Sequence, residues 1–154
     1  MSLRRNRVCA LVWVVGGCAA AGIVAAAAPE WIDAPLSPET WWEQDAAWKT
    51  EVYEIPLAAG KALEHMLRLN EGDMIVYNWT VDMDAPEQLT AEFHGHTERT
   101  GTEPGTVMFY SKHTNGRESG GLRAPFTGVH GWYLNNASAQ DIVVRLEVAG
   151  YFSD

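Results

Sequence analysis

From Thr50 to Tyr151 the chain alternates apolar and polar residues in short runs, interrupted about every ten positions by turn residues. A period of two is the signature of strands with one face buried, and it leaves no room for a helical core. The clearest instance is the stretch from Ile142. Ile142, Val144, Leu146 and Val148 point one way while Arg145 and Glu147 point the other, as a half-buried antiparallel strand requires. The same reasoning predicts strands over 49–57, 63–69, 74–81, 89–96, 107–111, 121–124, 131–135 and 142–151. Turns are expected at Asn70-Glu71-Gly72-Asp73, Thr114-Asn115-Gly116 and Asn135-Asn136-Ala137-Ser138. Short strands at this density predict an all-β domain over 49–154, a jelly-roll-like antiparallel β-sandwich.

The N-terminus is of another kind. After the basic start MSLRRNR, Val8 to Ala28 carries no charge, and at 1.5 Å per residue such a run spans roughly 30 Å, one bilayer core. As a signal anchor it would keep Arg4, Arg5 and Arg7 in the cytoplasm and place the domain outside, in the periplasm of a bacterial inner membrane. As a signal peptide it would be cut near Ala26 or Ala28, although Pro29 follows. As a lipoprotein signal it would use Val15-Gly16-Gly17-Cys18. All three export the domain. Gly17 and Ala21, beside Gly16, Ala20 and Ala25, form a small-residue face suited to packing against another membrane helix. Between the run and the domain, 29–48 is rich in tryptophan and proline. Trp31 and Trp41 suit the headgroup level, Pro38-Glu39-Thr40 can open a short helix, and the alternative is a strap packed on the domain.

Charge and cysteine usage narrow the function. Three of the eleven basic residues lie in the first seven positions, leaving eight against twenty acidic side chains. So acidic a surface repels phosphate backbones, which excludes nucleic acid as a partner. Both cysteines, Cys9 and Cys18, fall in the apolar run, so the domain has neither a disulfide nor a thiolate metal site.

The stretch Glu92-Phe93-His94-Gly95-His96-Thr97-Glu98 is the strongest chemical signal. His94 and His96 share a strand face, and two imidazoles so placed can chelate one zinc or copper ion, with Glu98, His113 or His130 completing the set. The competing reading is a solvated strand face, because the phase that buries Phe93 turns both histidines outward. His130 falls in step with Trp132 and Leu134, which marks it as a core residue on the opposite phase. Cupin enzymes pair His-x-His and a glutamate with a later Pro-x-Gly, histidine and asparagine. Here Pro125, Gly128, His130 and Asn135 follow that order loosely, with Glu98 too close to His96. No Gly-x-Ser-x-Gly elbow, His-Glu-x-x-His helix or phosphate-cradling glycine loop is present. Asn136-Ala137-Ser138 matches a glycosylation sequon.

The block 74–152 resembles small bacterial transmembrane anchor proteins, often encoded beside multi-component efflux pumps. The resemblance rests on Tyr77-Asn78-Trp79-Thr80, Phe93-His94-Gly95, Ala124-Pro125-Phe126, Gly128-Val129-His130-Gly131-Trp132-Tyr133, Asn135-Asn136 and the closing Val148-Ala149-Gly150-Tyr151-Phe152. Gly-x-His-Gly-Trp is its most specific part, and the last two strands are similar to the end of a Golgi-dynamics-type sandwich, a domain class that binds proteins or cargo. His96 and the segment 29–48 lie outside the pattern. The resemblance implies a non-enzymatic, membrane-tethered periplasmic β-sandwich, accessory to a membrane transport or efflux assembly and in contact with a membrane protein. The alternatives are a periplasmic copper- or zinc-binding module built on His94 and His96, and a cupin-like metal enzyme.

Overall fold

The computed structural model describes residues 32–38, 40–98 and 105–154. The expected anchor, Val8 to Ala28, with Cys18 and Trp31, lies outside them. Among the described residues no helix is long and apolar enough to cross a membrane. Two units are distinguished, 1–40 and 41–154. In the first, the Thr40 N–H closes a turn on the Ser37 carbonyl at 3.2 Å. In the second, 41–48 adopts no regular helix, and part of it packs as a strap: Arg123 lies 4.8 Å over the Trp42 ring, and Trp48 meets Tyr151 edge-on.

The rest of the second unit is eight strands: β1 Lys49–Leu57, β2 Ala62–Leu69, β3 Met74–Val81, β4 Leu89–His96, β5 Val107–Thr114, β6 Arg117–Arg123, β7 Gly128–Asn136 and β8 Ile142–Gly150. A 3-10 turn, Pro86–Gln88, precedes β4. They form two antiparallel four-stranded sheets, β1-β8-β3-β6 and β2-β7-β4-β5. The pairs β1·β8, β2·β7, β3·β6 and β4·β5 are the rungs of one long hairpin, and β3·β8 and β4·β7 close it into two sheets. That is jelly-roll connectivity. Asn115-Gly116 turns the chain as expected, yet it carries β5 in one sheet to β6 in the other rather than closing a hairpin.

The apolar phases of the strands meet between the sheets. Ile55, Leu57, Ile75, Trp79, Val144, Leu146 and Val148 of one sheet face Leu67, Leu89, Phe93, Trp132 and Leu134 of the other. Phe93 and Trp132, paired across β4 and β7, stack at 4.6 Å with planes 9° apart, and Tyr77 from the opposite sheet meets both edge-on at 5.1 and 4.9 Å. Such edge-to-face contacts add to the area they bury.

Asn136 ends β7 with 0% of its surface exposed. Its Nδ2 donates to the carbonyls of Leu57, Ala58 and Gln140, and its Oδ1 accepts from the Ser138 N–H and hydroxyl. The sequon therefore serves as a structural clamp joining the β1–β2 and β7–β8 connections, and its amide is inaccessible in the folded domain.

Candidate functional site

Alternation divides the histidines between the two faces of β2-β7-β4-β5. His130 lies inside, in the row that runs Leu67, His130, Gly95. A Cβ on Gly95 would stand 2.2 Å from His130 Nδ1 and 2.5 Å from the Tyr110 hydroxyl, so the Phe-His-Gly glycine is required by close approach. The Phe126 carbonyl, 3.0 Å from His130 Nε2, can only accept, so Nε2 carries the proton. Nδ1 then accepts from the Tyr110 hydroxyl at 2.8 Å. Burial chiefly holds His130 below the usual histidine value, with nearby His96 acting the same way and the Phe126 carbonyl opposing. Burial likewise pushes the Tyr110 phenol up to about 12. His130 is thus a neutral, fully hydrogen-bonded core residue.

His94 and His96 lie on the outer face. The expectation that both are wet fails for His94, which is only 6% exposed, while His96 is half-buried. The cause is a bulge: the β4·β5 register shifts between Phe93 and His94, making Tyr110 the extra residue, and Phe109 lies opposite His94, their rings 5.8 Å apart. The two imidazoles are nearly parallel, 6.1 Å apart. His96 Nδ1 lies 3.0 Å from the Thr97 carbonyl, and His94 Nδ1 makes a longer 3.4 Å contact with the Glu92 carbonyl. Glu64 of β2 brings Oε1 to 3.7 Å from His94 Nε2. Together with Glu92, Phe109 and Tyr133 these side chains line a groove of about 610 Å3. Gly131 lies between β2 and His94 in this sheet, where a Cβ would meet the His65 carbonyl at 2.0 Å. The central glycine of Gly-x-His-Gly-Trp thus lets β2 approach.

The other expected ligands are elsewhere. Glu98 is hydrogen-bonded to Arg68, which lowers its carboxyl value, and both line a separate groove with Thr127 and Ser153. His113 Nε2 lies 3.6 Å from Glu118 Oε1. Of the five candidates only His94 and His96 come together. Among the described residues no group of three or more His, Cys, Asp or Glu is placed to hold a metal ion. A cupin-type centre needs His94, His96 and His130 to converge inside the sandwich, and here the sheet separates them.

Two acidic residues escaped the sequence reading. Glu64 sits on the outward phase of β2, and only the pairing of β2 and β4 on either side of β7 brings it to His94. Glu118 of β6 turns inward and accepts from the Tyr77 hydroxyl at 2.9 Å, Trp79 Nε1 at 3.3 Å and the Ser111 hydroxyl at 3.1 Å, bridging the sheets. Burial and this carboxylate push the Tyr77 phenol upward. The signal was the period of β6, which places Glu118, Gly120 and Leu122 on one face. No known protein family searched matches the chain, and no curated protein matches it.

Proposed function

We propose that this chain is a non-enzymatic, membrane-anchored periplasmic β-sandwich that acts by protein contact, as an accessory to a membrane transport or efflux assembly. One observation carries the contact reading. The polar groups of His130, Glu118 and Asn136 are spent on other protein groups, whereas the outer face of β2-β7-β4-β5 offers an open groove bordered by exposed Val107 and Phe109. An apolar border beside a polar groove suits a protein partner. The uncharged run Val8 to Ala28 supports the anchor, and the resemblance of 74–152 to small transmembrane anchor proteins supports the location. Tethering would raise the domain's concentration at one membrane surface. The test is purification from native membranes in mild detergent, at native expression and with crosslinking. Recovery with a membrane protein in fixed proportion is expected, and recovery alone would overturn the proposal.

A second reading is a periplasmic copper- or zinc-binding module. It rests on the Nδ1 contacts of His94 and His96 with main-chain carbonyls, which leave each Nε2 as the candidate ligand atom, and on Glu64, whose Oε1 lies 3.7 Å from His94 Nε2. Titration calorimetry of residues 30–154 against both ions tests it. Binding that weakens sharply in the His94→Ala, His96→Ala double variant is expected, and equal weak binding by both proteins would end it.

A further inference from the structure

The two sheets have four outer edges, and three are guarded against pairing with another chain. β1 carries Pro56, which has no N–H to offer, and Glu51 and Glu54 along its length. β2 is bridged by the C-terminal tail, the Arg68 N–H to the Ser153 carbonyl at 2.7 Å and the Ser153 N–H to the Arg68 carbonyl at 3.0 Å. β6 is short, with Arg117 and Arg123 at its ends and Gly120-Gly121 within. β5 differs. Among the described residues it pairs only with β4, and its first three residues are Val107, Met108 and Phe109, exposed by 54%, 43% and 64%. Consecutive strand residues point to opposite faces, so this edge is apolar on both faces at once. The bulge at Tyr110 ends it on one side, and Lys112 and His113 follow.

We infer that the β5 edge is a docking strand for an extended segment of a partner protein, one that alternates apolar and basic residues and adds a strand beside Val107, Met108 and Phe109. The inference rests on the contact reading above and names how contact is made. Main-chain hydrogen bonds to a free edge supply affinity, and side chains on alternate positions supply selectivity. Charge chooses the segment. The chain carries twenty acidic against eleven basic side chains, and of the two carboxylates lining the adjoining groove Glu92 is paired with Lys112 of β5 at 3.0 Å while Glu64 is half-exposed, so a basic segment is attracted and an acidic one repelled. A second copy is a poorer occupant. Pairing through so few residues buries far less than the roughly 1,200 Å2 of a stable dimer and brings two acidic domains together.

Two measurements test this on the full chain in non-ionic detergent and in its own host. The first is fluorescence anisotropy with a labelled octapeptide alternating valine and lysine. Binding should weaken at least tenfold when alternate peptide nitrogens are methylated, and again in the Met108→Thr, Phe109→Ser variant. A glutamate-for-lysine peptide should not bind. Binding indifferent to methylation and to the variant would be charge attraction alone and would overturn the inference. The second is photo-crosslinking with Phe109→p-benzoylphenylalanine against Val143→p-benzoylphenylalanine, which lies on the other sheet. Products at least tenfold more abundant from position 109 are expected. Equal products, or more from position 143, overturn the edge while leaving the contact reading standing. Products from neither position overturn both.

Discussion

Replacing Asn136 by alanine should be among the costliest truncations of a polar side chain in the domain. Its amide is fully buried and touches five polar atoms, the tightest being the Gln140 carbonyl at 2.7 Å and the Ser138 hydroxyl at 2.7 Å, with the Ser138 N–H at 3.0 Å. The contacts at 3.3 Å to Leu57 and Ala58 share the remaining Nδ2 proton and count as one weak bond. Each net bond contributes about 1 kcal/mol, and each group left buried without a partner costs about 1–3 kcal/mol. Water entering the vacated space would satisfy some of these groups, so a loss of about 3–4 kcal/mol is expected. In a unit the size of Trp41–Asp154 this lowers Tm by about 12–20 °C. Ser138→Ala leaves the Asn136 amide in place and should cost about 1–2 kcal/mol. Asn136→Asp keeps the shape, turns a carboxylate toward three carbonyls and should be at least as harmful as alanine. Tryptophan-fluorescence melting of the three variants measures this. A Tm for Asn136→Ala within about 4 °C of the unsubstituted protein, or equal to that of Ser138→Ala, would refute the clamp.

Other outcomes follow from the same packing. Gly95→Ala should destabilise by about 1–3 kcal/mol, because its Cβ would enter the space of His130 and Tyr110; urea unfolding measures it, and a neutral result would contradict the inner-face placement of His130. Burial chiefly holds both His65 and His130 below the usual histidine value. The unfolded chain therefore binds protons more readily, so the stability these groups contribute is complete above about pH 6.5 and is lost as pH falls below it. A Tm that stays flat between about pH 7.5 and 5.5 would contradict this. Glu118→Ala orphans the Tyr77 hydroxyl and Trp79 Nε1 and should cost about 2–4 kcal/mol. Thermal melting checks it.

The strands that were legible in full are those whose two phases differ sharply. β8 and β4 start where alternation predicts, and β1, β3 and β4 match at both ends. β5 and β6 run further than expected because Lys112-His113-Thr114 and Arg117-Glu118-Ser119-Gly120 are polar or side-chain-free, and their strand character comes from pairing with β4 and β3. β7 begins three residues before the expected Gly131 for a related reason: the close approach of β4, not side-chain hydrophobicity, fixes Gly128 in it. The opposite phases of His94 and His130 were readable, since parity alone decides them. The burial of His94 was not, because it depends on a one-residue bulge in the neighbouring strand. Glu64 was hidden for lack of register, a property of strand pairs that no single strand encodes.

Contact as the basis of function is tested most directly by the size of the particle that the chain occupies in its own membranes. Native electrophoresis after mild solubilisation, probed for this 17.0 kDa chain, should find it in a much larger complex. Part of that complex should dissociate in the Met108→Thr, Phe109→Ser variant. Migration as the isolated chain, unchanged by crosslinking before solubilisation, would contradict the account.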